Sequence, residues 1–305
     1  MDFSLSDEQQ LLRDSARSLL EKECPPSLVR AYQDDVTVAD GLWKHLEGWL
    51  ELGQGPLVDL CLFLEETGAV LAPGPYFTSA VLWAGLGLDG AGTAAFIDDI
   101  TMPYTLDAEA VDRVAVLVPE GFVVIDASRL QLRPVETIDW TRRLVEVSGS
   151  GEFAAPIPVD VDRLRERAWV ALAAEMLGTT RWLLQHTIAY AGQRQQFGRP
   201  IGSFQAIQHK IADMALAYEQ AWSAVYYAAM TIDAVDDDRH RAAHVAKIMA
   251  GAAVTKCAKD GIQVHGGIGY TWEHDLHLYI RRAYGSEHLF GTSDWHRDQL
   301  ADLII

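Results

Sequence analysis

Two long helical patterns are separated by Arg194-Gln-Gln-Phe-Gly-Arg-Pro-Ile-Gly-Ser-Phe204. Before this segment, residues 159–193 contain no proline and space their apolar side chains as a helix does. After it, apolar residues recur at intervals of four, three and four, at Ile207, Ile211, Met214 and Tyr218. The sequence therefore predicts two long helices joined by a tight turn, with Ser203 as the cap of the second helix.

Two further helices are predicted downstream of this pair. The acidic run Asp236-Asp-Asp238 suits the start of a third helix, because carboxylates accept from the free N–H groups at a helix start. Gly266-Gly267 would end that helix, and a shorter fourth helix would follow Glu273. Residues 159–305 are thus predicted to form a four-helix bundle.

The rest of the chain divides into two zones of different periodicity. Residues 1–90 are helical in pattern, and Ser6-x-x-Gln9 has the form of a capping box. Residues 91–158 contain short apolar runs at Ala94–Ile97, Val114–Val118, Phe122–Ile125 and Arg143–Val147. A hairpin is predicted at 119–121. The expected fold is mainly α with a small β module: an N-terminal helical domain (1–90), a reduced middle β domain (91–158) and the C-terminal four-helix bundle (159–305).

Composition limits the partners of this 305-residue chain. A formal net charge of −18 argues against nucleic acid, because phosphate binding needs clustered Lys and Arg. The three cysteines are scattered, no secretory signal is visible, and no run of about 18 apolar residues could span a membrane. We expect a cytoplasmic protein without a membrane partner. His274-x-x-His277 would place two imidazoles on one helix face, but no carboxylate spacing supports a metal site, and none is expected.

Two motifs could hold a phosphate group, although each has a simpler structural explanation. Arg194 at a helix end could bind phosphate through two N–H groups, or it could bond to the last carbonyls of its own helix. The backbone N–H groups of Gly266-Gly-Ile-Gly269 could meet a pyrophosphate, or these glycines could only end a helix. No strand precedes these glycines, so they do not form a Rossmann fingerprint.

The two motifs taken together resemble the acyl-CoA dehydrogenase family. The segment from Arg194 to Met214 is similar to one signature of that family, and Gln263-Val-His-Gly-Gly-Ile-Gly-Tyr270 is similar to a second. The order of helical, β and helical zones is also that of the family. The resemblance therefore covers nearly the whole chain.

This resemblance implies a flavoenzyme that dehydrogenates acyl-CoA thioesters at the α and β carbons. A glutamate removes the α proton, FAD accepts the hydride, and electrons leave to an electron-transfer flavoprotein. One set of residues would contact the pyrophosphate and adenosine of an FAD bound mainly by a neighbouring subunit: Arg194, Phe197, Gln205, Gln263, Gly266 and Gly267. Thr292 matches a further flavin contact of the family.

The chain departs from the family at the catalytic base. The usual glutamate precedes a Gly-Thr pair, but Phe290 stands there, and phenylalanine cannot accept a proton. An alternative base position on the first bundle helix matches Ala168, and the nearby Glu166 would face another side of that helix. Glu287, about one helical turn before Phe290, is a candidate substitute.

The middle zone lacks two features that hold the isoalloxazine ring in the family. No Thr-Glu-Pro-Gly-x-Gly-Ser-like turn is present, and Trp140-Thr141 comes too late to replace the Trp-Ile-Thr strand. The first two zones are also shorter than is usual in the family.

These departures predict a subunit of a heteromeric (α₂β₂) acyl-CoA dehydrogenase, resembling the shortened subunits of actinobacterial steroid degradation. A homologous catalytic subunit would supply the glutamate, and the substrate would be a bulky acyl-CoA. One alternative is a self-sufficient homotetramer with Glu287 as base. Another is an interaction scaffold that binds no flavin.

Overall fold

The computed structural model describes residues 3–97, 99–149 and 155–305. Its first part is helical, as expected, and Ser6 and Gln9 form the predicted capping box with reciprocal bonds of 3.2 and 3.1 Å. Within this part the α-helices are α1 (Asp7–Glu23), α2 (Pro26–Ala31), α3 (Asp40–Leu46) and α4 (Leu57–Val70). Short 3₁₀ turns at Val36–Ala39 and Glu47–Gln54 and a π turn at Thr78–Trp83 complete it.

The middle part is a β module of two three-stranded sheets. The first sheet has the order β1 (Thr93–Ala95), β3 (Arg113–Val118), β4 (Gly121–Asp126). The second has the order β2 (Thr105–Leu106), β6 (Leu144–Ser148), β5 (Gln131–Val135).

The predicted hairpin is confirmed, since β3 pairs antiparallel with β4 and Val118 faces Gly121. The two-residue strand β2 was not predicted, because two residues carry no periodicity. Of the glycine-rich run Gly149-Ser-Gly151, only Gly149 lies within the described residues. The domain limits at 90 and 158 stay predictions.

The last part is the helical bundle that the sequence predicts, with one helix more. Its helices are α5 (Val161–Gln193), α6 (Gln205–Asp233), α7 (Arg239–His265), α8 (Leu276–His288) and α9 (Ser293–Ile304). Helices α5, α6 and α7 pack on one another, and α9 packs on α7. Within the described residues, no helix is long and apolar enough to cross a bilayer.

One helix of this bundle was not predicted, and one expected helix cap is wrong. Helix α9 was not predicted as a separate element. Ser203 does not cap α6: its hydroxyl donates to the Pro200 carbonyl at 2.7 Å, and α6 begins only after Phe204. The serine hydroxyl closes the 3₁₀ turn Ile201–Ser203, and Phe204 instead of Ser203 occupies the N-cap position of α6.

Helices α4 and α5 cross at a distance that only glycine permits. A Cβ on Gly178 would lie 1.8 Å from the Glu65 carbonyl oxygen, and a Cβ on Gly68 would lie 1.9 Å from the Glu175 carbonyl oxygen. Real atoms do not approach so closely, so each helix has a glycine where the other helix's backbone passes. This crossing joins the N-terminal helices to the bundle.

A buried ionic cluster joins the β module to the bundle. Arg282 of α8 is fully buried and donates to Asp139 at 2.7 Å and to Glu175 of α5 at 3.0 Å. Arg142, in the loop between β5 and β6, pairs with the same Glu175. Two guanidinium groups thus neutralise two carboxylates, and all four side chains are buried away from water. Buried charges need such pairing to be stable.

Asp107 adds a fifth ionisable group near this cluster. Within the described part of the chain, neither of its carboxylate oxygens has a hydrogen-bond partner. Burial raises the pKa of Asp107 to about 7, although the guanidinium groups of Arg142 and Arg282 oppose the shift. Its φ of 54° lies in the left-handed region that aspartate and asparagine tolerate better than most residues.

We predict that Gly178→Ala lowers the free energy of unfolding by about 2 kcal/mol or more, because the methyl group meets backbone at the crossing. Gly192→Ala, on the same helix, is the matched control. A Cβ there would meet no described atom within 4 Å, so the helix should gain up to about 1 kcal/mol. Urea denaturation measures both values, and equal effects of the two substitutions would contradict the close crossing.

The carboxyl group of Asp107 should weaken the fold as the pH rises. Its folded pKa of about 7 lies above the unfolded value of about 3.9, so the folded chain holds the extra proton between these values. Stability from this group is complete below about pH 4 and is lost as the pH passes about 7. Asp107→Asn removes this pH dependence of stability. The free energy of unfolding of the variant should therefore exceed that of the parent chain by an amount that grows from pH 5 to pH 8, to at most about 4 kcal/mol. Denaturation at several pH values tests this, and an advantage that does not change with pH would contradict it.

Candidate functional site

The turn after α5 is a small exposed hairpin. Strands β7 (Gln195–Gln196) and β8 (Arg199–Pro200) pair, and Phe197 and Gly198 form the tip with φ values of 54° and 78°. The Phe197 side chain is 92% exposed, which is unusual for an aromatic ring. The hairpin therefore presents an unpacked ring to its surroundings.

Arg194 ends α5 and starts this hairpin. Its backbone N–H donates to the Tyr190 carbonyl and its own carbonyl accepts from Ile201, both at 2.8 Å. Among the described residues, no group accepts a hydrogen bond from its exposed guanidinium. The helix-end explanation, in which this side chain bonds to its own helix carbonyls, is therefore not what the structure contains.

The glycine pair ends α7 and leaves open space beside it. Gly266 has a φ of 62° and follows the last helical residue, so the predicted helix stop is confirmed. A Cβ built on Gly266 or Gly267 would meet no described atom within 4 Å. The backbone here is accessible to a close-fitting group from outside the chain.

Contacts between neighbouring helices hold the hairpin and the glycine pair at one end of the bundle. The rings of Tyr190 and His265 stack with centres 4.3 Å apart, which joins the last turns of α5 and α7. Lys210 of α6 pairs with Asp260 of α7 at 2.7 Å. Six of the predicted site residues consequently lie at this end: Arg194, Phe197, Gln205, Gln263, Gly266 and Gly267. We call this the bundle end.

Thr292, the seventh predicted cofactor residue, lies elsewhere. Its hydroxyl accepts from the Trp295 N–H at 3.2 Å and caps α9. The neighbouring Ser293 packs against Gly251, which precedes Gly266 by about 22 Å of helix at 1.5 Å per residue. The structure does not bring Thr292 together with the other six.

Phe290 lies in an aromatic cluster, which comprises Phe77, Phe96, Phe122 and Phe290. It is 2% exposed, and its ring centre lies 6.4 Å from those of both Phe77 and Phe96. Ala168, the alternative position for a base, is fully buried. Neither position carries a group that could accept a proton, and aromatic side chains fill the space around the first.

The two nearby glutamates have structural roles. Glu287 accepts from the Ser293 N–H at 2.8 Å, which supports the start of α9. Glu166 is buried and accepts from Arg239 at 3.0 Å and from His240 at 2.9 Å. Among the described residues, neither carboxylate forms a hydrogen bond with a member of the aromatic cluster.

Other residues that the sequence singled out are used in packing. The Trp140 indole donates to the Val29 carbonyl at 3.1 Å, and the Thr141 hydroxyl accepts from Arg282 within the ionic cluster. His274 precedes α8 rather than lying on it. The expectation that His274 and His277 share one helix face is therefore wrong. Over the described ranges, no group of three or more His, Cys, Asp or Glu side chains is arranged to hold a metal ion.

A large cavity lies in the β module. It has a volume of about 770 Å³. Apolar side chains dominate its wall, and Glu120 and Arg165 supply its charged groups. None of the bundle-end residues lines this cavity.

Comparison with known proteins gives three related results. The profile described as "Acyl-CoA dehydrogenase, C-terminal domain" matches residues 165–305. The acyl-CoA dehydrogenase IpdE2 of Mycobacterium tuberculosis is 33% identical to this chain in an alignment that covers 93% of each protein.

Two solved structures share the fold. A variant of the Tcur3481–Tcur3483 steroid ACAD superposes with a TM-score of 0.88 at 24% identity, over 99% of this chain and 98% of that one. The ChsE4–ChsE5 complex of Mycobacterium tuberculosis gives 0.86 at 19% identity, over 99% and 98%. These likenesses confirm the predicted architecture. On the sequence match along nearly its whole length, the chain belongs to the acyl-CoA dehydrogenase family.

Proposed function

We propose that this chain is a subunit of a heteromeric, FAD-dependent acyl-CoA dehydrogenase. It contributes pyrophosphate and adenosine contacts to an FAD held mainly by a homologous catalytic subunit. One observation carries the proposal: the bundle end has both an unpaired guanidinium and open glycine backbone, whereas Phe290 is buried where the family has its base. The name of the ChsE4–ChsE5 complex, one chain of which shares this fold, supports a heteromer.

The residues of the bundle end suit a dinucleotide. The Arg194 guanidinium can donate two parallel bonds to a phosphate, and no described group competes for it. The glycine pair leaves room for a phosphate oxygen against the backbone. The exposed Phe197 ring offers a face for the adenine, and the amides of Gln205 and Gln263 offer polar contacts.

The chemistry would take place at the partner's site. When bound, FAD supplies the hydride acceptor for dehydrogenation at the α and β carbons. This chain would bind and orient the far end of the cofactor, while the partner's glutamate would remove the α proton. The aromatic cluster keeps this chain's own equivalent site closed to water and to substrate, because its rings occupy that space.

The substrate class and the remaining partners follow from the relatives. A steroid ACAD among the solved structures supports a bulky, steroid-type acyl-CoA. The electron acceptor would be an electron-transfer flavoprotein or a similar carrier, and the complex would act in the cytoplasm. Thr292 would contact the flavin through its hydroxyl hydrogen, because the oxygen accepts the cap bond of α9 and leaves that hydrogen to donate.

Arg194→Ala should reduce the affinity of the co-expressed complex for FAD by about ten- to a hundredfold, the cost of a lost charged hydrogen bond. Arg199→Ala is the matched control on the same hairpin. Arg199 lies over the Phe204 ring at 4.1 Å, so its removal changes the charge equally without removing the proposed phosphate ligand. Flavin absorbance after gel filtration gives the retained fraction.

Two outcomes of this comparison would reject the proposed role. If Arg194→Ala retains as much flavin as the parent complex, the flavin-free scaffold becomes the better description. If both variants lose flavin equally, the effect comes from net charge and Arg194 has no specific role.

Glu287→Gln should leave kcat of the complex unchanged within about twofold, because the amide oxygen can still accept from the Ser293 N–H. In a homotetramer with Glu287 as base, the same change would remove the proton acceptor and lower kcat by about 10²–10⁴. Turnover with a dye acceptor, measured on the complex and on the chain alone, distinguishes the two assemblies.

A further inference from the structure

A second cavity lies near the opposite end of α7 from the glycine pair. Its volume is about 450 Å³, and it lies between α5, α7 and α9, with Trp169 and Trp295 among its walls. His240 and His244 of α7 both line it. They are four residues apart, so they occupy the same face of the helix, one turn from each other.

The hydrogen bonds of His240 fix which of its nitrogens is free. Its Nδ1 lies 2.9 Å from a carboxylate oxygen of Glu166. A carboxylate only accepts, and Arg239 keeps Glu166 paired at 3.0 Å, so the proton is on Nδ1. In the neutral ring the lone pair is then on Nε2, which has no partner among the described residues.

A chain of bonds fixes His244 in the same way. The Nε2 of His296 lies 3.0 Å from the Phe290 carbonyl oxygen, which can only accept, so this nitrogen donates. The other nitrogen of a neutral His296 must then accept from His244, whose Nδ1 lies 2.8 Å from it.

His240 and His244 thus each have Nδ1 bonded to an orienting group and Nε2 available. His244 is 1% exposed, and within the described chain its Nε2 has no hydrogen-bond partner. Histidines that bind metals have this arrangement, in which the second nitrogen donates to a carboxylate, a carbonyl or another acceptor that fixes the ring.

The separation of the two rings fits one shared ion. A metal at about 2.0–2.1 Å from Nε2 lies about 3.2 Å from the ring centre, so two rings at 90–110° around it have centres roughly 4.6–5.3 Å apart. The centres of the His240 and His244 rings are 4.8 Å apart, with planes at 88°. Asp99 and Asp162 also line the cavity, where both pair with Arg165, at 2.9 and 3.2 Å, and Glu166 behind His240 pairs with Arg239. Three carboxylates thus face two guanidinium groups, which leaves one negative charge in excess.

We propose that His240 and His244 bind one divalent transition-metal ion of the class that prefers imidazole, such as Zn²⁺, Ni²⁺ or Cu²⁺, through their Nε2 atoms. No third His, Cys, Asp or Glu of the described residues completes the site, so water in the cavity fills the other positions. The ion would hold the first turns of α7 and, through Glu166 and His296, connect them to α5 and α9. This site is independent of the flavin contacts at the bundle end.

The test uses untagged chain, alone and in its complex, stripped of metal with a chelator. Zn²⁺ is titrated by calorimetry near pH 7.5, and the electron paramagnetic resonance spectrum of one equivalent of Cu²⁺ gives the number of bound nitrogens. We expect one ion per chain with two nitrogen ligands. His240→Gln should weaken binding at least tenfold and leave one nitrogen, and Glu166→Gln should weaken it by about ten- to a hundredfold.

Two controls keep the result specific. His209→Gln removes an exposed histidine of α6 and should leave both the affinity and the nitrogen count unchanged. Circular dichroism of the metal-free variants shows whether they fold, and the half-exposed His240 is the position where substitution disturbs packing least. Absence of stoichiometric binding, a single nitrogen in the parent spectrum, or equal binding by His240→Gln would each overturn the proposal.

Discussion

The stacked rings of Tyr190 and His265 hold the proposed cofactor contacts in place. With centres 4.3 Å apart, they fix the end of α5 against the end of α7, and the Tyr190 hydroxyl donates to the His265 carbonyl at 3.3 Å. The hairpin begins four residues after Tyr190, and the glycine pair begins directly after His265. Separation of these two rings would separate the guanidinium from the glycine backbone, although the two motifs are about 70 residues apart in the chain.

The loop that carries Phe290 is fixed by a different set of buried bonds. Lys247 is fully buried and donates to the carbonyls of Glu287 and Gly291 at 3.0 and 2.8 Å. Burial lowers the pKa of Lys247 to about 7, and the side chain has enough N–H groups for these two acceptors in either protonation state. The Phe290 carbonyl accepts from His296.

Because these bonds fix the loop, replacing Phe290 with an acidic residue would not by itself create a catalytic base. A carboxylate there would be packed against the rings of Phe77 and Phe96, which offer it no hydrogen bond, and burying it without one costs several kcal/mol. The phenylalanine is part of a packed core. The bundle end is therefore open to its surroundings, whereas the space around Phe290 is filled.

Much of this architecture follows from local sequence rules. The capping box, the hairpin, the long helices α5 to α7 and the glycine stop are each determined within a few neighbouring residues, so periodicity and turn chemistry predict them. Ser203 shows the limit of this reasoning, because its hydroxyl could serve either the preceding turn or the following helix.

Long-range contacts could not be predicted in the same way. Asp139, Glu175 and Arg282 form one ionic cluster although more than 30 residues separate each from the next along the chain. The two motifs of the bundle end were recognisable from their residues, but their junction through Tyr190 and His265 was not. Spacing along a chain does not determine which side chains meet once helices cross.

The flavin content of the purified protein tests the central claim most directly. The chain expressed alone should be colourless, and the chain expressed with its catalytic partner should contain one FAD for each pair of unlike subunits. A yellow homomer that dehydrogenates an acyl-CoA without a partner would contradict the account, since it would require a complete flavin and base site within this chain.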